Sequence, residues 1–256
     1  MSDQTKARKV VLVTGGSPGL GRHTALAAAQ AGFDVVITYR SQPKAAEAVS
    51  SEIEALGRKA AVLFLDTSDI ASFDDFASRL THQLRGFGIT KLHGLVNNAG
   101  IGSDASIETT SEEIFDQLVN VHFKGVFFLT QKLLSLIEDG GRIVNISSGL
   151  VRVSLPGYSV YGGVKGAIEV FTRYLAKELG SRRITANTVA PGGLETDFGG
   201  GALRDIPQVN EFIASQTALG RAGLPGDVGP VIAALLSESH GWVNGQKIEA
   251  SGGWHL

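Results

Sequence analysis

The stretch YSVYGGVKGA, residues 158–167, holds two tyrosines and a lysine whose spacing suits proton transfer. In a helix, residues four apart share a face, so Tyr161 and Lys165 would be neighbours. Tyr158 lies about two turns, or ~10 Å, from Lys165. An ammonium beside a phenol favours the phenolate and lowers the pKa of the tyrosine, which suits an acid/base near neutral pH. The spacing therefore favours Tyr161 as the reacting phenol, although such a pair is also typical of a solvated helix face.

A glycine-rich turn, TGGSPGLG at 14–21, follows the β-branched run VVLVT and precedes a helix-like segment. Gly15, Gly19 and Gly21 would let the backbone approach a pyrophosphate, and the helix N-terminus would present free N–H groups to it. The same pattern is typical of a tight connection between a strand and a helix. Its place after the first strand favours a nucleotide-binding turn.

The end of the second predicted strand, Tyr39-Arg40-Ser41, indicates which dinucleotide would bind. An acidic residue near this point would bind the ribose hydroxyls of NAD, and none is present. The planar guanidinium of Arg40 suits a 2′-phosphate, and Ser41 adds a hydroxyl. We therefore predict NADP rather than NAD, with a merely exposed Arg40 as the alternative. Asp66, after the third strand, would lie near the adenine ring or serve as a turn or cap residue.

These residues are positioned by an alternation of short β-branched runs and longer amphipathic segments. Strands are predicted at 10–14, 34–39, 60–66, 92–100, 141–148, 184–191 and 246–253. Helices are predicted at 20–31, 43–56, 69–84, 111–136 and 158–179, the third capped by Asp69. The alternation predicts an α/β protein with a parallel sheet and helices on both faces. Ligands of such sheets bind at the carboxyl ends of the strands.

Further polar residues lie at that edge of the predicted sheet. Ser147 and Ser148 end the fifth strand, and Asn120 lies in an apolar helix where a buried amide needs a partner. Together with the earlier motifs they make the chain resemble the short-chain dehydrogenase/reductase family over essentially its whole length. The matching segments are TGGSPGLG at 14–21, Asp66, NNAG at 97–100, Asn120, Ser148, YGGVK at 161–165 and PGGLET at 191–196. The family spacing from serine to tyrosine favours Ser148 over Ser147.

The resemblance implies a Rossmann-type, doubly wound parallel sheet of seven strands in a single domain, residues 1–256, and a role for each matching residue. Tyr161 would be the acid/base, and Lys165 would lower its pKa and hold the nicotinamide ribose. Ser148 would bind the substrate oxygen, and Asn120 would hold a water that links Lys165 to solvent. Besides Tyr161 and Lys165, the implied NADP-binding residues are Gly15, Ser17, Gly19, Leu20, Gly21, Tyr39, Arg40, Ser41, Asp66, Thr67, Asn97, Ala99, Gly100, Pro191, Gly192 and Thr196.

The implied activity is NADPH-dependent reduction of a small-molecule carbonyl, of the ketone or 3-oxoacyl type, by a homotetramer or dimer. The alternatives are a 3-oxoacyl-[acyl-carrier-protein] reductase, an NAD-dependent alcohol dehydrogenase and a non-catalytic nucleotide-binding regulator. An acyl-carrier partner would need a basic rim, to which Arg152, Arg204 and Arg221 would contribute. Substrate choice is expected to lie in the loop 150–158 and in a glycine-rich lid at about 197–217. The apolar side chains of these two segments, together with Leu194, predict an apolar pocket. The residues are Val151, Val153, Leu155, Tyr158, Leu194 and Phe198.

The composition argues against several other classes of protein. The chain has 256 residues and a net charge of −2, without a dense Lys/Arg cluster, so neither nucleic acid nor a membrane surface is predicted as a partner. It has no cysteine, which excludes disulfides and thiolate sites and fits a cytoplasmic location. The six histidines lack a metal-binding spacing, so we predict no metal site and surface or packing roles for each. The polar N-terminus does not resemble a signal peptide, and no apolar run approaches a membrane span.

Overall fold

The computed structural model describes residues 8–102 and 104–256. In those residues the chain forms one parallel sheet of seven strands, in the order β3-β2-β1-β4-β5-β6-β7. The strands are β1 (Val10–Val13), β2 (Asp34–Tyr39), β3 (Ala60–Phe64), β4 (Leu92–Asn97), β5 (Ile137–Ile146), β6 (Thr185–Pro191) and β7 (Lys247–Ala250). This is the doubly wound α/β sheet predicted from the sequence.

Helices cover both faces of the sheet. They are α1 (Gly19–Gln30), α2 (Pro43–Ala55), α3 (Phe73–Gly86), α4 (Glu112–Val119), α5 (Gly125–Leu133), α6 (Ser159–Glu178), α7 (Ala202–Asp205), α8 (Pro207–Ser215) and α9 (Pro225–Leu236). Val10 and Leu12 pack into an apolar layer with α3, α5 and α6, whereas Val11 and Val13 pack into a second layer with α1, α2 and α9. Because strand side chains alternate between faces, a strand buried on both faces is apolar throughout, as VVLV is.

The strand order predicts a crevice between β1 and β4. At this point the side on which successive strands join the sheet changes. Strands β2 and β3 lie on one side of β1, and β4 to β7 lie on the other. The connections that leave β1 and β4 run to opposite faces, since α1 and α5 contribute to different apolar layers. A ligand-binding crevice is expected between the carboxyl ends of two such strands. The glycine-rich turn at 14–21 and NNAG at 97–100 both lie there.

The predicted helix over 111–136 is confirmed as one continuous helical path, but its hydrogen-bond pattern changes along the way. It begins as expected, with the Ser111 hydroxyl accepting the Ile114 N–H at 3.3 Å. Residues Asn120–Lys124 then form a π-turn between α4 and α5, in which the Gly125 N–H donates to the Asn120 carbonyl oxygen five residues earlier. A Cβ on Gly125 would lie 1.9 Å from the Thr67 carbonyl oxygen, so the helix packs against the loop after β3 without space for a side chain. Turns of this kind are frequent at functional sites.

Two other segments differ from the sequence-based prediction. Helix α3 begins at Phe73 rather than at Asp69, whose side chain caps nothing among the described residues because a 3₁₀ turn, Ile70–Ser72, intervenes. The predicted lid contains a 3₁₀ turn, Phe198–Gly201, followed by α7 and α8. Its glycines 199–201 have φ angles of 63°, 72° and 78°, which lie in the left-handed region. This run of glycines hides the neighbouring helical segments from a prediction based on sequence.

Two kinds of feature are absent from the described ranges. None of their helices combines the length and the apolar character needed to cross a membrane. No group of three or more His, Asp or Glu side chains in them could hold a metal ion.

Candidate active site

Tyr161 is the phenol that the fold places in a reactive environment. It lies one turn into α6, and only 7% of its surface is exposed. The side chain of Ser148 lies close enough to the phenol to lower its pKa, as a hydrogen-bond donor does. The ring of Tyr158 packs edge-on against it at 6.4 Å and that of Phe198 at 5.5 Å. Tyr158 is half-buried and forms one wall of this aromatic group. Of the two tyrosines, Tyr161 is therefore the more deeply buried one.

Lys165 is buried one helical turn beyond Tyr161. Its Nζ donates to the Ile146 carbonyl oxygen at 2.8 Å and lies 5.6 Å from the centre of the Tyr161 ring. Burial lowers the pKa of Lys165 to about 7. Burial also raises the pKa of Tyr161 well above its usual value, against the smaller opposite effect of its hydrogen bond with Ser148. The expected lowering of the tyrosine pKa is therefore not found, because desolvation outweighs the attraction of an ammonium that is itself desolvated.

The buried Lys165 gives a prediction about stability. The unfolded chain binds this proton up to about pH 10.5, whereas the folded protein releases it near pH 7. Between those values the unfolded state holds one more proton, so the free energy of unfolding should rise with pH by up to about 1.4 kcal/mol per unit. Lys165→Met should remove that slope. Urea unfolding of both proteins at pH values from neutral to moderately alkaline measures it, and an equal slope in the two proteins would contradict the assignment.

Ser148 is held at the carboxyl edge of the sheet by the turn that follows β5. Its Oγ accepts the Leu150 N–H at 3.2 Å, which caps a 3₁₀ turn. The preceding Ser147 has a different role, since its Oγ donates to Glu169 Oε1 at 2.7 Å. Ser148, and not Ser147, is the serine whose side chain influences the pKa of Tyr161, and its role as a site residue stays a prediction.

The glycine-rich turn and the NNAG segment are joined into one platform. The Asn98 side chain donates to the carbonyl oxygens of Thr14 and Gly15 at 2.9 and 3.0 Å. The Thr14 hydroxyl accepts the backbone N–H groups of Asn98 and Ala99, both at 3.0 Å. Sequence reasoning missed both residues as supports. Asn97 turns inward instead: its amide donates to Asn145 Oδ1 at 2.8 Å and is buried, so only its backbone can face a ligand.

The platform leaves room for a phosphate but not for side chains. Gly15 and Gly19 have φ angles of 63° and 55°, which favour glycine. A Cβ on Gly21 would lie 2.0 Å from the Gly15 carbonyl oxygen. Pro18, which precedes α1, has no side-chain group that could cap the first N–H groups of the helix. Those N–H groups are therefore available to an anion, beside Ser17 and Leu20.

The predicted adenosine end is more open. Arg40 and Ser41 are exposed after β2, and Arg40 makes neither a hydrogen bond nor an ion pair with any described residue. Asp66 accepts both the N–H and the hydroxyl of Ser68, at 2.9 and 2.6 Å, as a turn residue does. Partial burial alone would raise the pKa of Asp66. The bonds from Ser68 and the charge of Arg40 nevertheless hold that pKa below its usual value. Tyr39 packs edge-on against Phe64 nearby.

The predicted nicotinamide end lies where the segment after β6 passes over the glycine-rich turn. Pro191 ends β6 in the buried sheet, and a Cβ on Gly192 would lie 3.0 Å from the Ser251 side chain. Thr196 reaches back across the crevice, since a Cβ on Gly19 would lie 3.3 Å from its methyl group. The Thr196 hydroxyl accepts the Phe198 N–H at 3.1 Å, which ties this position to the predicted lid.

The residue of the α4–α5 segment whose ring packs against Tyr161 is His122 and not Asn120. The side chain of Asn120 is half-buried and makes no hydrogen bond to another described residue. His122, two positions later, is buried and packs edge-on against Tyr161. Sequence reasoning gave His122 only a surface or packing role. No local signal distinguishes it, because the π-turn that directs it inward depends on packing against Thr67.

A family model described as enoyl-(acyl carrier protein) reductase matches residues 15–255, almost the whole chain. The chain belongs to the short-chain dehydrogenase/reductase family. This confirms the family predicted from the motifs and the class of oxidoreductase that it implies.

Three members of the short-chain dehydrogenase/reductase family are similar along their whole length. The tetrahydroxynaphthalene reductase PfmaG of Pestalotiopsis fici is 33% identical, over 96% of this chain and 91% of its own. The angucycline C-6 ketoreductase LanV, solved with bound NADP, has a TM-score of 0.92 and 39% identity, covering 97% of this chain and 96% of its own. The promiscuous reductase LugOII, which catalyses keto-reduction at C1 in lugdunomycin biosynthesis, has a TM-score of 0.92 and 37% identity, over 97% and 98%.

Proposed function

We propose that the protein reduces a ketone to an alcohol with NADPH. The observation that carries the proposal is the buried Tyr161, with the Ser148 side chain nearby and Lys165 one turn away, at the carboxyl edge of the sheet. This arrangement surrounds one phenol with a hydrogen-bonding hydroxyl and a cation, which is the equipment needed to protonate an oxygen that becomes negative. The similarity to the ketoreductases PfmaG, LanV and LugOII supports the same reaction.

The crevice fits a dinucleotide. Glycines at 15, 19 and 21 keep side chains away from the first turn of α1, so a pyrophosphate can reach its free N–H groups. The guanidinium of Arg40 at the adenosine end suits a 2′-phosphate, and the related LanV binds NADP. Thr196, Pro191 and Gly192 would hold the nicotinamide end. When bound, the reduced nicotinamide supplies the hydride.

The side chains supply the rest of the reaction. The Ser148 hydroxyl donates a hydrogen bond to the substrate carbonyl oxygen and so fixes it beside Tyr161. The Tyr161 hydroxyl gives its proton to that oxygen as negative charge develops on it. Lys165 stabilises the phenolate that remains, because its ammonium lies on the same side of α6. Burial of all three groups excludes water from the reacting atoms and strengthens these interactions.

The aromatic rings around Tyr161 indicate an aromatic substrate. Tyr158 and Phe198 flank the phenol, and Phe198 is 42% exposed at the cleft. Rings of this kind prefer to pack against other aromatic systems. PfmaG and LanV are named for fused-ring aromatic compounds. We propose a fused-ring ketone, which an assay of NADPH consumption with a tetralone and with an aliphatic ketone of equal size would test. Faster turnover of the aliphatic ketone would contradict it.

The arginines argue against an acyl-carrier partner. Arg152 is paired with Glu249, Arg204 with Asp197 and Asp205, and Arg221 with Asp227. Each predicted contribution to a basic rim is thus neutralised within the chain. A protein with an acidic carrier as its partner would be expected to present unpaired cations instead. The small-molecule ketone is therefore the better substrate class.

Arg40→Ala tests the choice of cofactor. Loss of the charged hydrogen bonds to a 2′-phosphate should weaken NADPH binding by about 10- to 100-fold and leave NADH binding unchanged. Titration by intrinsic fluorescence measures both affinities. Arg79→Ala, which removes an exposed arginine from α3, is the matched control and should change neither. Equal binding of NADH and NADPH by the unmodified protein would favour an NAD-dependent alcohol dehydrogenase.

We also propose that the protein is a homotetramer or dimer. Exposed apolar side chains lie before α4 and on α4, α5 and α6: Ile107, Phe115, Phe128, Val170 and Tyr174. A cavity of about 370 Å³ is lined by residues that include Phe115, Ser159 and Val160. Exposed apolar side chains of this kind mark an interaction site, and a second copy of the chain is the simplest occupant. The cytoplasmic location remains a prediction.

Phe115→Glu should shift the protein to a smaller assembly, since a buried carboxylate at the interface would be left unpaired. Light scattering during size-exclusion chromatography measures the mass. Leu56→Glu places the same charge at an exposed apolar position after α2 and should leave the mass unchanged. A monomeric unmodified protein would contradict the proposal.

A further inference from the structure

The C-terminal tail, residues 251–255, folds back across the carboxyl edge of the sheet after β7. It runs antiparallel to the segment that follows α8. The backbone N–H groups of Ala218 and Leu219 donate to the carbonyl oxygens of Gly253 and Gly252, both at 3.1 Å. The tail is thus hydrogen-bonded to the end of the predicted lid.

Trp254 is the large side chain of the tail, and it is 3% exposed. It belongs to an apolar cluster that joins three segments: the loop at 150–158, the lid and the tail itself. The other members of the cluster and the side chains packed against it are Ile213, Ala222, Leu150, Val153, Leu155 and Leu203. The two segments that were predicted to choose the substrate therefore share one small core, which is built around this indole.

The indole also lies directly behind the turn that carries Ser148. A Cβ on Gly149 would lie 2.9 Å from Cε3 of Trp254 and 3.0 Å from Cζ3, so not even a methyl group fits between the ring and this backbone. Gly149 follows Ser148 in the chain and begins the 3₁₀ turn that the Ser148 hydroxyl caps. Because such close packing resists displacement, the indole supports the position of that turn.

Arg152 fastens the tail to the same turn. Its guanidinium donates to the carbonyl oxygens of Trp254 and His255, at 2.6 and 2.9 Å. It also binds both carboxylate oxygens of Glu249 at the end of the sheet, at 2.5 and 3.0 Å. Such a two-pronged contact between arginine and a carboxylate is geometrically specific as well as strong. Trp254 therefore cannot leave the cluster without the loss of these bonds.

We propose that Trp254 is a positioning residue for ketone binding: its indole holds the turn after Ser148 and the lid in the arrangement that receives the substrate. The proposal rests on the reductase function proposed above. The groups expected to bind the phosphates of NADPH lie elsewhere, at the glycine-rich turn after β1 and at Arg40 after β2. Three strands separate β1 from β7 in the sheet, so the tail is remote from them.

The proposal predicts which kinetic constant should change. Without the indole, the turn and the lid would adopt several arrangements, and only a fraction of the molecules would be ready to bind the ketone. Apparent affinity falls by that fraction, whereas the bound ketone restores the productive arrangement. Loss of Trp254 should therefore raise KM for the ketone much more than it lowers kcat, and it should leave NADPH affinity nearly unchanged.

Two substitutions of Trp254 and two controls test this. Trp254→Ala removes the indole, and Trp254→Phe keeps a ring beside Gly149. Trp242→Ala removes the other tryptophan of the chain, which is fully exposed. Phe33→Ala removes a buried ring that precedes β2, at the opposite edge of the sheet. For each variant we would measure kcat and KM with the ketone that the unmodified protein reduces best, NADPH affinity and the unfolding temperature.

We expect Trp254→Ala to raise KM for the ketone by about 10- to 100-fold, as when the competent arrangement is populated in about 1–10% of molecules. Trp254→Phe should recover most of that loss. Trp254→Ala and Phe33→Ala should both lower the unfolding temperature, but only the first should change KM. Trp242→Ala should change none of these quantities.

The proposal is overturned if folded Trp254→Ala has a normal KM, or if Phe33→Ala raises KM equally. If Trp254→Ala does not fold, Trp254→Phe and Arg152→Met, which loosens the tail without opening a cavity, decide the matter. A normal KM in both would then overturn the proposal, and a raised KM in either would support it. An unmodified protein that reduces no ketone would instead overturn the proposed function.

Discussion

Tyr161→Phe is expected to lower kcat for ketone reduction by about 10²- to 10⁴-fold, the contribution typical of a positioned general acid. The variant loses only the hydroxyl near Ser148, and the buried ring keeps its packing against Phe198 and His122. NADPH affinity should therefore change little. Steady-state rates of NADPH consumption and a fluorescence titration of NADPH measure the two quantities on the same preparation.

Tyr158→Phe is the matched control for that substitution. Tyr158 is half-buried and lies seven residues from Lys165, about two helical turns or ~10 Å along the helix axis, so its phenol is not the one beside the ammonium. We expect kcat to change by less than about tenfold, because removal of a hydroxyl outside the proton path costs at most one ordinary hydrogen bond. If the two variants exchanged effects, Tyr158 would be the acid. If Tyr161→Phe kept full activity, Tyr161 would not be the proton donor and the proposed mechanism would be wrong. A non-catalytic regulator would be favoured if the unmodified protein reduced no ketone.

Gly21→Ala should abolish tight binding of NADPH. The added methyl group would lie 2.0 Å from the Gly15 carbonyl oxygen and 2.6 Å from the Asn98 amide nitrogen. The first of these is backbone and cannot rotate away, so α1 must move from the turn that its N–H groups complete. Displacement of those N–H groups removes the phosphate site, and we expect the NADPH dissociation constant to rise at least about 100-fold, the effect of losing two or more charged hydrogen bonds.

Gly163→Ala is the matched control on a helix without such a neighbour. No atom lies within 4 Å of a Cβ at Gly163, which is exposed in α6 between Tyr161 and Lys165. Because alanine is the better helix former, this variant should gain about 0.5–1 kcal/mol in free energy of unfolding. Urea unfolding and NADPH titration of both variants distinguish loss of the phosphate site at the glycine-rich turn from loss of the fold. Unchanged NADPH affinity in a folded Gly21→Ala protein would show that the phosphates bind elsewhere.

The sequence by itself determined the class of fold and the family. Buried strands such as VVLV are apolar on both faces, and turn glycines follow them. Both signals are local, so the sequence alone reveals them. The Tyr161–Lys165 pair is equally local, because four residues in a helix place two side chains on one face whatever surrounds them. The choice of Ser148 over Ser147 came from family spacing and stays a prediction; in the structure Ser148 lies near Tyr161, whereas Ser147 bonds to Glu169.

Only the tertiary structure decided features that depend on distant contacts. The carbonyl oxygen of Thr67 lies against Gly125 beside the π-turn, and in this segment His122, and not Asn120, packs against Tyr161. Arg152 pairs with Glu249, which is far away in the sequence, and this pairing neutralises one cation of the predicted basic rim. The protonation preferences of Tyr161 and Lys165 depend on how deeply α6 is buried, since desolvation is a property of the packed core. Spacing specifies which side chains can meet, but packing decides what surrounds them and how they titrate.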